Sequence, residues 1–470
     1  MKNWQEFFKG KKVTLMGLGL LGRGLGDAIF LAEHGAELTV TDIRDEQVLA
    51  PSLEKLKKYI NIQYVLGEHR LEDFKGRDFI LKAAGIPLQS PYIAEAKKVG
   101  VPVYMSTALF AKFAKEAGAT IVGVTGTRGK STVTHMIYRT LASAGRRAHL
   151  GGNVRGVSTL ALLPDIQEGD VCVLELDSWQ LQGFGELSVS PDVAVFTNLQ
   201  SDHLNYYPNE ETYFADKANI FKFQKQGDTL VVGSSVNKRW IASAHSPVAP
   251  VVPPTLPAVW ILKLIGDHNR ENTSFVVEAL RALGLSGEAI KKGVESFEPV
   301  EGRLQYIRTV DGVEIYNDNN ATTPDATIVA LHALSAQQRY ALNTERRIVL
   351  IMGGVDKGLD MKKLIEEIPK HCKAVIFLME TGTEKMLITY NVKRITPDKD
   401  SGNTLHATRY TLHTTPMYEA ETLEGCVSKA MQLAEHGDVV LFSPAFASFG
   451  KWFKNEYERG EQFVKLVERL

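Results

Sequence analysis

A chain of 470 residues with 54 Lys plus Arg against 55 Asp plus Glu is nearly neutral, which argues against a nucleic-acid or membrane-surface partner, because both favour a basic excess. Its 44% hydrophobic and 23% charged content is that of a globular protein with two to four domains and several buried cores. Cys172, Cys372 and Cys426 stand far apart with no CxxC pair, the first twelve residues lack the apolar core of a secretion signal, and no apolar run is long enough to span a bilayer. The expectation is a reducing cytoplasm, with no disulfide framework, zinc site or membrane span.

Short apolar runs alternate with amphipathic helical stretches along the chain, which predicts α/β layers built on mainly parallel sheets. The first block opens with a strand at 13–16, a glycine-rich turn and a helix, then a strand at 38–41 that ends at Asp42. A further apolar run at 79–81 leads into Ala83, Ala84, Gly85 and Ile86. Gly17, Gly19 and Gly22 form GxGxxG after a strand, with Asp42 downstream. Taken alone, that pattern is a dinucleotide fingerprint, a diphosphate cradle of another kind, or simply a tight strand–helix turn.

The second block starts with a strand at 120–124, and its sheet includes 171–176 and 193–196. Between them lies Gly123-Val-Thr-Gly-Thr-Arg-Gly-Lys-Ser-Thr132, followed by Val133, Met136, Ile137, Thr140 and Leu141 at helical spacing. A glycine-rich turn between strand and helix is the setting of a phosphate-binding loop. Backbone N–H groups converge there, the helix N-terminus adds partial positive charge, and a lysine such as Lys130 reaches the β- and γ-phosphates. Ser131 or Thr132 can offer a hydroxyl to magnesium. Valine at 124 departs from GxxxxGK[ST], so a turn that merely starts a helix is the competing reading. Glu175, at the end of the run 171–174, is a carboxylate well placed for a hard cation or else a sheet-rim residue. Lys217, on a predicted helix with Tyr213, Phe214, Ile220 and Phe221, reads on its own as a solvated lysine, and His203 as an ordinary histidine. Five prolines in 247–257 predict an irregular segment. The third block begins near Glu301 and holds strands at 348–352, 374–378 and 439–442.

The loop resembles that of the Mur ligase family, which usually reads TGTNGK[ST], and further stretches match in the family's order. They are Val173-Leu-Glu-Leu-Asp-Ser-Trp-Gln-Leu181, Asn198-Leu-Gln-Ser-Asp-His-Leu-Asn-Tyr206, Gly266-Asp-His-Asn-Arg-Glu-Asn272, Asn317-Asp-Asn-Asn-Ala-Thr322 and Ile351-Met-Gly-Gly-Val-Asp-Lys357. The ending, Ser443-Pro-Ala-Phe-Ala-Ser-Phe449 with Phe453-Lys-Asn and Glu458-Arg-Gly460, is similar to that of family members that add glutamate. The resemblance implies three domains: a Rossmann-like UDP-substrate domain at 1–106, a central P-loop ATPase domain at 107–300 and a C-terminal Rossmann-like domain at 301–470. It implies a cytoplasmic, monomeric ligase that uses ATP and two Mg2+ ions to join D-glutamate to UDP-N-acetylmuramoyl-L-alanine through an acyl phosphate, in peptidoglycan precursor synthesis.

Residue roles follow from the same resemblance. Lys130, Glu175, His203 and Lys217 carry the chemistry, with Ser131, Glu175, His203 and a carbamylated Lys217 at the metals. Gly126, Thr127, Gly129, Lys130, Ser131, Thr132, Asn272, Arg303 and Asp318 hold ATP. Gly19, Leu20, Leu21, Asp42, Arg44, Gly85 and Asn153 face the UDP-substrate, and Thr322, Lys357, Ser448, Phe449 and Tyr457 the incoming amino acid. Three positions depart from the pattern: Arg128 for Asn, Asp177 for Ser and Asn320 for Lys. L-glutamate or another amino acid, a nicotinamide-dependent oxidoreductase and a non-catalytic nucleotide-binding regulator are the alternatives that the residues leave open.

Overall fold

A computed structural model describes residues 4–200, 206–243, 248–342, 348–390, 393–395, 409–412 and 415–470. Two compact units emerge, Met1–Trp260 with Glu271–Phe297, and Ile261–Arg270 with Glu298–Leu470.

The first unit holds two parallel sheets. One consists of β1 (Lys12–Met16), β2 (Glu37–Asp42), β3 (Ile62–Leu66), β4 (Phe79–Lys82) and β5 (Val103–Tyr104), in the order β3-β2-β1-β4-β5. The other consists of β6 (Thr120–Thr125), β7 (Ala148–Gly152), β8 (Val171–Glu175), β9 (Val193–Phe196), β10 (Thr229–Val232) and β11 (Pro250–Val251), in the order β11-β10-β9-β6-β8-β7. In each, the chain winds one way from a central strand and then the other. The reversals fall between β1 and β4 and between β6 and β9, and the crevice outside such a point is where doubly wound sheets bind ligands. One continuous apolar core, from Phe8 and Val13 through Leu174 and Phe196 to Val236, underlies both sheets. The proline-rich segment is not wholly irregular: β11 pairs with β10 at the sheet edge, where a proline costs no ladder hydrogen bond.

The second unit is built on one mixed sheet of β12 (Gln305–Val310), β13 (Val313–Asn317), β14 (Ile348–Met352), β15 (Cys372–Leu378), β16 (Lys393–Ile395), β17 (Arg409–Leu412), β18 (Thr415–Ala420) and β19 (Val439–Phe442). Its order is β12-β13-β19-β14-β15-β18-β17-β16, parallel in the centre and antiparallel at both edges. Both faces of its centre are buried. Leu350, Met352 and Phe377 share one cluster with Leu331 and Leu364, while Val349, Ile351 and Ile376 share another with Cys426 and Phe463. Burial on two faces explains why these strands read as unbroken apolar runs.

Candidate active site

The phosphate loop leaves β6 at Thr125 and ends where the helix Lys130–Ser143 begins. Position 124 lies inside β6 and is fully buried, so it needs no glycine. Gly129, at φ +84°, is different: a Cβ there would lie 2.3 Å from Asn272 Oδ1, so only glycine lets Asn272 pack on the loop. The end of β9 clamps the other side. Asn198 accepts from Thr127 N through its carbonyl (2.9 Å) and from Arg128 N through Oδ1 (2.9 Å), and its Nδ2 donates to Arg128 O (3.2 Å). Thr197 Oγ1 also donates to Arg128 O, at 2.6 Å. Lys130 Nζ lies over the loop and donates to the carbonyls of Gly126 (3.0 Å) and Thr127 (3.2 Å). Ser131 and Thr132 are buried in the first helical turn.

Glu175 closes β8 in register with Val124 of β6, which places this carboxylate residue one position before β6 ends at the loop. It is 4% exposed, and that carboxylate makes no hydrogen bond or ion pair to a described residue. A buried carboxylate without a protein donor suits a cation ligand, because an isolated buried charge is otherwise costly. The Gly151-Gly152-Asn153 turn packs against the same residue. Asn153 N donates to Glu175 O (2.7 Å), and a Cβ on Gly152 would lie 2.1 Å from that oxygen. Arg23 Nη1 donates to Asn153 Oδ1 across the two sheets.

Lys217 corrects the reading of its residues as a solvated surface. Its side chain, on the helix Glu210–Ala218, is 1% exposed, and Nζ donates to Gly126 O (3.0 Å) and Thr125 Oγ1 (3.2 Å). The Tyr213 ring covers it at 4.9 Å. Asp177, one of the three departures from the resemblance, is the N-cap of Ser178–Leu187 and forms a capping box with Gln180, a task that a serine hydroxyl can also perform. His203 lies outside the described residues.

In the first sheet, Asp42 is 1% exposed and already serves the protein. It accepts from Gly19 N (2.9 Å) through Oδ2 and from Arg44 N (2.9 Å) and Nη1 (3.3 Å) through Oδ1. It thus ties together two loops, the one after β1 that carries Leu20 and Leu21 and the one after β2 that carries Arg44, and any ligand bond uses its remaining lone pairs. Gly85 lies in the facing loop after β4. Sequence reasoning missed what holds that loop: Lys82, buried at the end of β4, donates to Ile86 O (2.9 Å), Ala83 O (3.3 Å) and Ala84 O (3.4 Å). Burial pulls its ammonium down to about 7, against the opposing pull of Asp177 and Asp216.

In the second unit the loops after β13, β14 and β19 are neighbours, because those strands are. Lys357 Nζ donates to Thr322 Oγ1 (3.2 Å), so two residues expected at the amino acid meet. Ser448 Oγ is buried with no hydrogen-bond partner among the described residues, while Phe449 is exposed. Asp318 accepts from Leu304 N (3.0 Å) and Ser443 Oγ (2.9 Å), and burial raises its carboxyl to about 7. Arg303 precedes Leu304 in the same loop, and Tyr457 begins the second position of the helix Glu456–Glu468. Asn320, in place of lysine, donates to Glu301 O (3.1 Å) and supplies no charge. A second missed residue is Arg459, fully buried, which donates to Asn319 Oδ1 (2.7 Å), Asn319 O (3.0 Å) and Phe446 O (3.4 Å) and so pins two of these loops.

A phosphate loop at a helix N-terminus, joined by a buried carboxylate and a buried lysine, defines a nucleotide-dependent enzyme of the P-loop class. Family models match at residues 11–105 (Mur ligase MurD-like, N-terminal domain), 124–253 (Mur ligase middle domain) and 302–446 (Mur ligase, glutamate ligase domain). The chain is 33% identical to the UDP-N-acetylmuramoylalanine–D-glutamate ligase of Roseiflexus sp. (strain RS-1) and 32% identical to that of Borreliella afzelii (strain PKo), over 98% of this chain and of each relative. Its fold is similar to the crystal structure of UDP-N-acetylmuramate-alanine ligase from Thermotoga maritima (TM-score 0.59, 17% identity, 98% and 99% of the two chains). It is also similar to MurF ligase of Thermotoga maritima in complex with ADP (TM-score 0.54, 17% identity, 92% and 96%). This chain belongs to the Mur ligase family, and is thereby an ATP-dependent ligase.

Proposed function

We propose that this protein joins D-glutamate to UDP-N-acetylmuramoyl-L-alanine, with ATP cleaved to ADP and phosphate, in the synthesis of peptidoglycan precursors. The observation that carries the reading is the convergence of Lys130, Glu175 and Lys217 on one phosphate loop, in a chain similar along its whole length to D-glutamate ligases. The domain roles assigned to 1–106, 107–300 and 301–470 belong to this proposal, as do a cytoplasmic location and a monomeric working unit. Among the described residues no helix is long and apolar enough to cross a membrane.

The reaction asks two anionic substrates to meet. The substrate carboxylate attacks the γ-phosphorus of ATP, ADP leaves, and the acyl phosphate then yields to the amine of glutamate. Gly126, Thr127, Gly129 and Asn272 shape the nucleotide pocket, and Lys130 neutralises the transferring phosphoryl group. Glu175, the hydroxyl of Ser131, His203 and a carbamylated Lys217 would hold magnesium, which when bound supplies charge neutralisation to the phosphates. Thr132 backs the same turn. Gly19, Leu20, Leu21, Asp42, Arg44 and Gly85 would hold the uridine end, and Asn153 the sugar–peptide end. Arg303 and Asp318 would contact the nucleotide. Lys357, Thr322, Ser448, Phe449 and Tyr457 would receive glutamate, the ammonium and hydroxyls pairing with its carboxylates.

The test is phosphate release by the purified protein with ATP, magnesium and UDP-N-acetylmuramoyl-L-alanine, supplied in turn with D-glutamate, L-glutamate, D-lysine and L-lysine. Release that depends on D-glutamate is expected. Release with another amino acid alone would keep the ligase and change its substrate; none at all, despite ATP binding, would overturn the proposal.

A further inference from the structure

The second unit carries another cluster of ligating groups. Glu367 and His371 stand one turn apart on the helix Lys362–His371, so their side chains leave the same face. His332 reaches them from the adjacent helix Pro324–Leu342. Its Nε2 lies 3.0 Å from Glu367 Oε2, and His371 Nε2 lies 3.2 Å from the same oxygen. One ligand atom from each residue falls within 4.8 Å of the others. His371 directly precedes β15, so the cluster sits toward the edge where the parallel strands begin. The loops 317–322, 353–357 and 443–449 lie at the opposite edge.

Two details set it apart from a plain charge pair. Ser335 Oγ lies 2.8 Å from His371 Nδ1, which holds that ring with Nε2 toward Glu367, as outer partners of metal-binding histidines do. Lys370 Nζ takes the other carboxylate oxygen, Oε1, at 2.7 Å, and leaves Oε2 to the two imidazoles. A tetrahedral zinc ion with bonds of about 2.0–2.1 Å spaces its ligand atoms about 3.3 Å apart. The two distances to Glu367 already fit. The remaining span closes by a small swing of His332, whose side chain is 54% exposed.

We propose that His332, Glu367 and His371 bind one divalent transition-metal ion, zinc above all, which clamps their two helices together. Two imidazoles with one carboxylate favour zinc, nickel or cobalt over magnesium, so the magnesium used with ATP does not compete. Nothing in the cysteine spacing pointed to such a site, because it contains no cysteine.

The test is zinc binding by the full chain under saturating magnesium, against a chromophoric chelator, for the wild type and for His332→Ala and His371→Ala. The wild type is expected to take up one more equivalent than either variant, in the micromolar range or tighter. Cobalt should give a visible absorption band that both variants lose, and zinc should raise the melting temperature of the wild type alone. Circular dichroism checks that the variants are folded, and His332 is exposed enough for alanine to be tolerated. Equal zinc uptake by the wild type and a folded His332→Ala would overturn the proposal.

Discussion

Lys130 and Lys217 donate to one and the same oxygen, the carbonyl of Gly126, each from 3.0 Å. They arrive from different helices, and Lys217 is almost wholly buried. Two ammonium groups on one buried oxygen repel each other. A neutral amine can add carbon dioxide, and the carbamate then turns the repulsion into attraction. Labelled bicarbonate should therefore give a carbamate carbonyl resonance in the wild type that Lys217→Ala lacks. Lys217→Arg, which keeps the charge and cannot react, should lose about 100-fold or more in kcat, the equivalent of about 3 kcal/mol or more of charge stabilisation. A wild type without the resonance would refute the carbamate.

Gly129→Ala drives a methyl group into Asn272 and forces a side chain into the left-handed region, a strain of about 1–3 kcal/mol. ATP affinity should fall by about tenfold or more, with binding of the UDP-substrate retained. Calorimetric titration of each ligand separates the two. Unchanged ATP binding would remove Asn272 and Gly129 from the nucleotide site.

Lys82 holds the loop 83–86 through three carbonyls, so Lys82→Met should loosen it and raise KM for the UDP-substrate by about tenfold, with a smaller change in kcat. The stability signature is distinct. Burial lowers this ammonium to about 7, below its unfolded value of 10.5, so the unfolded chain binds the extra proton between those values and stability rises with pH across that window. Lys82→Met should flatten that rise in urea-unfolding curves; an identical slope in both proteins would contradict the assignment.

Asp177→Ser should leave the helix Ser178–Leu187 within a few tenths of a kcal/mol of the wild type, whereas Asp177→Ala should cost about 1 kcal/mol. Thermal melts of the two variants rank them. Equal losses would mean that the cap is not what the carboxylate contributes.

Asp318 works in the opposite sense to Lys82. Burial raises its carboxyl from 3.8 to about 7, so the fold binds the extra proton in that window. Its contribution to stability is complete below about 4 and is lost as pH rises through about 7. Asp318→Asn should abolish that loss, and denaturant midpoints measured across the window would show a flatter profile than the wild type.

The central strands were legible because burial on both faces writes them as apolar runs; 193–196, 348–352 and 439–442 coincide with β9, β14 and β19. The edge strand β12 was not, since its residues alternate between half-buried and exposed and carry no such run. The phosphate loop announced itself through local geometry that only small residues permit. The burial of Lys217, Lys82 and Arg459 stayed hidden for a common reason: a cation reads as surface, and only the fold brings acceptors to it, from distant segments for Lys217 and Arg459 and from the adjoining loop for Lys82. The role of Asp177 was readable, because Asp-x-x-Gln before a helix is a capping pattern, although the departure from serine drew the eye instead.

All three native thiols are interior: Cys172, Cys372 and Cys426 are buried, and burial pushes Cys172 up to about 12 and the other two higher still. A thiol that does not ionise and does not meet solvent is deaf to maleimides. The wild-type chain is therefore a ready-made background for site-specific labelling. One cysteine introduced on the surface of each unit, for example at Lys58 and at Lys465, would be the only pair of groups a dye finds. Energy transfer between the dyes would then report whether ATP, the UDP-substrate or glutamate changes the distance between the units.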